Sequence, residues 1–136
     1  MSRRQLAFLQ DELAAAEAAN EWVIVASHHP SDALTPVAGS EVWPVELQAT
    51  LRACPRVVLH IAGHRHRNYV LDRGGYVEIE TASTIDPPYE ARLIELWAQA
   101  DGTVAVSYEP VPSVTATDDD ALADLRRWAV SQECPE

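Results

Sequence analysis

Near the start of the chain, Leu6, Leu9, Leu13 and Ala16 recur at helical spacing, and the alanine-rich run 14–19 favours the same conformation. Ser2 with Gln5 three positions on forms a capping-box pattern, and Asn20 is a plausible stop. Trp22 to Ser27 follows as an unbroken apolar run, which predicts a central strand covered on both faces. Pro30 to Gly39 is rich in breakers and predicts a loop. A second helix is expected to start between Glu41 and Pro44, to bury Leu47 and Leu51, and to end at Cys54-Pro55. Val57 to Ile61 then reads as a second buried strand. The order helix, strand, helix, strand predicts α/β packing.

The pattern changes after this point to that of an antiparallel meander. Asn68–Leu71 and Tyr76–Thr81 flank Asp72-Arg73-Gly74-Gly75, a hairpin signal. Val77, Ile79 and Thr81 alternate with Glu78 and Glu80, so the two glutamates are expected on a solvated face. Ala82–Glu90 reads as a loop containing Pro87-Pro88, and Ala91–Ala98 with Thr103–Tyr108 as a further hairpin across Asp101-Gly102. A proline-rich connector, Pro110–Pro112, leads to a last helix capped by Thr117 and carrying Leu122, Leu125 and Trp128 on one side. The expected division is a domain over 1–111, then connector and helix over 112–136.

The charge narrows the partners. A net charge of −11 over 136 residues argues against nucleic acid or an anionic membrane, both of which need a basic patch. An anionic substrate would need cations in its site. Two cysteines, Cys54 and Cys134, make no disulfide framework and read as reduced thiols of a cytoplasmic protein. No apolar run is long enough to span a membrane, and no signal-peptide core follows the basic residues Arg3 and Arg4.

The chemistry centres on Gly63-His64-Arg65-His66, directly after the second buried strand. Gly63 permits a turn or a close approach. If the segment stays extended, His64 and His66 share a face and could address one metal or two adjacent ones through neutral imidazole. At the end of the first apolar strand stand His28-His29-Pro30. On an extended backbone these two histidines face opposite ways, so one of them is expected to be a ligand.

Gly63-His64-Arg65-His66 resembles the last metal motif, Gly-His-x-His, of the calcineurin-like metallophosphoesterases, the superfamily of purple acid phosphatases and cyclic-nucleotide phosphodiesterases. The run from Trp22 to Pro30 resembles the preceding motif, a buried strand ending in His-x-Pro. Either pattern is weak by itself, and the ordered pair is stronger. The resemblance covers roughly the first 110 residues and matches the second half of that family's domain. It implies the C-terminal half of a four-layer α/β/β/α sandwich. It also implies a dinuclear site of manganese, iron or zinc at which water is activated for attack on a phosphoester. His28 and His64 would bind one ion and His66 the other.

The family's Asp-x-His, Gly-Asp-x-x-Asp and Gly-Asn-His motifs do not occur in the 136 residues. The expectation is therefore a C-terminal half-domain from a truncated or split gene, inactive alone, binding at most one ion weakly, with the missing N-terminal half as partner. A single-zinc module built on three histidines and a non-catalytic remnant are the rival readings. His60 reads as a hydrogen-bonded core residue, Asp86 as a turn residue, and Arg92 as a basic side chain worth locating near any phosphate. The role of His29 stays open.

Overall fold

The computed structural model describes residues 1–35 and 41–112. The expected last helix, with the capping Thr117, lies outside the described residues. The chain forms two compact units, one of residues 1–64 and 69–80, the other beginning with 65–68 and resuming at Thr81.

In the first unit, helix α1 spans Arg3–Ala19 and has the expected cap. Ser2 Oγ accepts from the Gln5 N–H at 3.2 Å, and Gln5 Oε1 accepts from the Ser2 N–H at 2.8 Å. The helix ends at Asn20, whose φ of +59° places it in the left-handed region that asparagine tolerates. Helix α2 spans Pro44–Ala53, with Pro44 in the first turn and Cys54 as its C-cap. An exposed ion pair links the two helices, Arg3 Nη1 to Glu46 Oε2 at 2.6 Å. Leu6 and Leu13 of α1 and Leu47 and Leu51 of α2 join Val57 and Tyr76 in one buried cluster. Each such side chain contributes roughly 1.5–3 kcal/mol.

The sheet of this unit runs β1 (Val23–Ala26), β2 (Val57–Ala62), β4 (Val77–Glu80), β3 (Tyr69–Asp72). Strand β2 is central and parallel to both neighbours, while β3 pairs antiparallel with β4 at the far edge. One expectation is corrected here. The first strand is shorter than predicted and, among the described residues, lies at an edge. Its Val23 and Val25 pack on the helix cluster, but Ile24 remains 48% exposed and Trp22 40% exposed. An apolar run on both faces reports which surfaces favour burial, not whether this unit supplies a neighbour. The strands after residue 68 begin with the expected antiparallel hairpin, β3 with β4, and β4 also pairs parallel with β2.

Burial overturns the reading of Glu78 and Glu80 as a solvated face. Both are buried, each 1% exposed. Alternation predicts a wet face only for a strand with one covered side, and in β4 Ile79 is buried on the opposite face as well.

In the second unit, β5 (Glu90–Ala98) and β6 (Val104–Pro112) pair antiparallel from Glu90↔Pro112 to Ala98↔Val104. The expected turn is present: Gly102 has φ +83°, and Asp101 Oδ1 accepts from the Thr103 N–H at 3.0 Å. Pro110 and Pro112, expected in a connector, belong instead to β6. They have the same parity, so both fit positions whose missing N–H would point away from β5.

Candidate metal centre

The first histidine pair stands where β1 stops. Ser27 continues the parallel ladder with its N–H on the Ile61 carbonyl at 3.0 Å, and the chain then bends at His28 and His29. The Gly63 N–H donates to the His28 carbonyl at 3.0 Å, tying this bend to the end of β2. The turn after β2 differs from the expectation. His64 and His66 both have positive φ, +74° and +50°. Left-handed backbone costs a non-glycine residue roughly 1–2 kcal/mol and gathers at functional sites. The segment is therefore not extended, and the alternation that would have put His64 and His66 on one face does not apply.

His64 joins His28 and His29. The ring centroids lie 4.1 Å apart for His29–His64, 5.2 Å for His28–His64 and 4.9 Å for His28–His29. One ring nitrogen from each of the three lies within 4.8 Å of the others, and all three side chains are exposed. The expectation that His28 and His29 face apart rested on extended backbone, which the bend removes. Partial desolvation, followed by the proximity of His64 and His28, holds His29 below the ordinary imidazole range. Neutral imidazole is the ligand form. Three converging imidazoles fit one divalent ion of borderline softness with coordination positions left over. When bound, such an ion would supply Lewis acidity at this strand end.

In the second unit His66 Nδ1 donates to Asp86 Oδ2 at 2.8 Å. Asp86 is held in turn, its N–H donating to Ser83 Oγ at 3.1 Å. A carboxylate on Nδ1 fixes the tautomer and leaves Nε2 with the ring's lone pair. Asp86 is thus more than the turn residue expected. Arg92 lies over the Tyr108 ring, 5.2 Å from its centroid, and burial pushes its pKa down.

A buried polar network lies beneath the histidine bend. Val25, His60 and Glu78 are register partners across β1, β2 and β4, and so share a face of the sheet. His60 is fully buried and hydrogen-bonded, as expected of a core histidine. Its Nδ1 meets Glu78 Oε2 at 2.7 Å and its Nε2 meets Ser27 Oγ at 2.8 Å. Glu78 also accepts from the Ser31 N–H at 3.1 Å and from the Arg73 guanidinium. Arg73 reaches Asp32 as well, at 3.1 Å. Asp32, Glu78 and Glu80 bring carboxylate oxygens together, but Arg73 already supplies a cation to two of them. Sequence reasoning missed Ser27, Ser31 and Glu78. The only signal was a serine on each side of the histidine pair, matched by an acidic residue more than forty positions away.

No family model matches the chain, and no curated protein matches it. Among solved structures it is similar to a dimetal phosphatase from Danio rerio, with a TM-score of 0.61 and 23% identity over 84% of this chain. It is also similar to a Staphylococcus aureus protein assigned as a 5′-nucleotidase, with a TM-score of 0.46 and 19% identity over 90% of this chain. The chain spans 36% of the first of these and 25% of the second. The likeness to the first is one of fold, a mixed α/β architecture.

Proposed function

We propose that the chain contributes histidine ligands to metal-dependent phosphoester hydrolysis. The observation that carries this reading is the convergence of His28, His29 and His64 where β1 and β2 end, in a fold of the metallophosphoesterase type. On the motif, His28 and His64 hold one ion and His66 a second. The carboxylate and asparagine ligands that a two-ion site needs are in motifs not found among the 136 residues. Residues outside these 136 would supply them, and the 136 residues alone would be inactive. The substrate is a phosphoester of unspecified class, since one metal site of this kind serves many.

The test is calorimetric titration of the chain with zinc or manganese, beside hydrolysis assays with p-nitrophenyl phosphate and its diester. The expected result is one weakly bound ion, lost in His28→Ala and His64→Ala, with no turnover. Turnover abolished by His64→Ala would show that the chain is sufficient by itself. Binding unchanged in both variants would remove the metal reading.

A second reading is favoured by one observation: His29 joins the cluster and, among the described residues, no carboxylate does. Three imidazoles suit a single-ion, non-catalytic module. It predicts that adding the missing motifs in trans restores no activity.

A further inference from the structure

Two carbonyls fix the histidine bend. That of His28 accepts from the Gly63 backbone, and that of His29 accepts from Ser27 Oγ at 2.7 Å. Ser27 has one hydroxyl proton. It goes to His29, and Ser27 Oγ also lies 2.8 Å from His60 Nε2. His60 Nδ1 in turn meets Glu78 at 2.7 Å. Glu78 and His60 are 1% and 0% exposed, so neither can exchange these partners for water. Through Ser31 and Arg73 the same carboxylate also holds the residues just beyond the bend. One buried carboxylate thus grips the chain on both sides of His28-His29. Metal histidines are commonly oriented by polar groups bound to their own rings; here the backbone carrying them is held instead.

We propose that Glu78 and His60, acting through Ser27, are positioning residues for a divalent transition metal at His28, His29 and His64. The inference rests on the metal reading above. The relay sets where the His29 carbonyl lies and therefore where its imidazole points relative to those of His28 and His64. It touches neither metal nor substrate.

The test uses the full chain, with zinc for affinity and cobalt(II) for the ligand-field spectrum. The variants are Ser27→Ala, Ser27→Thr, Glu78→Gln and the double variant Ser27→Ala/Glu78→Gln, each with its thermal melt recorded. Ser27 is exposed, so its variants are expected to melt like the wild type. Ser27→Ala is expected to weaken zinc binding about 10-fold, the low end for a supporting hydrogen bond at a metal site, and to change the cobalt spectrum. Ser27→Thr, which keeps the hydroxyl, restores both. The double variant is expected to bind no worse than the weaker single one, because both changes cut the same chain of contacts.

Wild-type affinity and spectrum in Ser27→Ala would overturn the proposal. So would losses that multiply in the double variant, since they would mean two independent effects. A wild-type chain that binds neither ion overturns the metal reading itself, and the positioning role with it. Should Glu78→Gln fail to fold, Ser27→Ala and Ser27→Thr still decide.

Discussion

Replacing Glu78 by glutamine keeps the shape of the side chain and removes its charge. In the folded chain this carboxylate is 1% exposed and faces His60, the Ser31 N–H and Arg73. Burial pushes its pKa up, but the hydrogen bonds from His60, Ser31 and Arg73 more than offset that and hold it at about 2, against an ordinary 4.5. At about 1.4 kcal/mol per pH unit, the difference corresponds to about 3 kcal/mol. Breaking a buried charge pair by removing one member costs roughly 3–5 kcal/mol, which agrees. Because the folded pKa lies below the unfolded one, this stabilisation is fully present above pH 4.5 and is lost as the pH falls toward 2. Urea unfolding followed by tryptophan fluorescence should therefore find Glu78→Gln about 3 kcal/mol less stable than wild type at pH 7, with the gap narrowing to less than half by pH 3. The total stability of a domain is about 5–15 kcal/mol, so the loss is readily measured. A gap under about 0.5 kcal/mol at pH 7, within the usual range of surface substitutions, would refute the reasoning. So would a gap that does not change between pH 7 and pH 3.

Asp86→Ala should release His66 from the Nδ1–H form that the carboxylate selects. Nitrogen chemical shifts of the ring should then report the Nε2–H form, and an unchanged tautomer would show that the ion pair does not orient His66. Ile24 and Trp22 leave apolar surface open at the edge strand β1, a liability for association. Co-expression with a segment carrying Asp-x-His, Gly-Asp-x-x-Asp and Gly-Asn-His should raise the soluble yield and give phosphoesterase activity that depends on His28, His64 and His66. A chain that is monomeric alone and gains neither would refute the need for a partner segment.

The local elements were legible in the sequence because their causes are local. The Ser2–Gln5 cap, the Asn20 stop, Pro44 in the first turn of α2, and the glycines of the Asp72–Gly75 and Asp101–Gly102 turns act within a few residues. So did the placement of His28 and His64 at strand ends, since an apolar run followed by a histidine marks its own boundary. Tertiary structure decided the rest. Whether β1 is central or an edge, and whether Glu78 faces water or His60, depends on which strand lies beside which, and hydrophobic alternation is silent about neighbours. The left-handed turns at His64 and His66 broke the two-residue period from which a shared face was inferred, sending one ring to His28 and His29 and the other to Asp86. The relay from Glu78 to Ser27 joins residues fifty-one positions apart. It exists because the parallel register of β1, β2 and β4 brings Val25, His60 and Glu78 onto one line across the sheet.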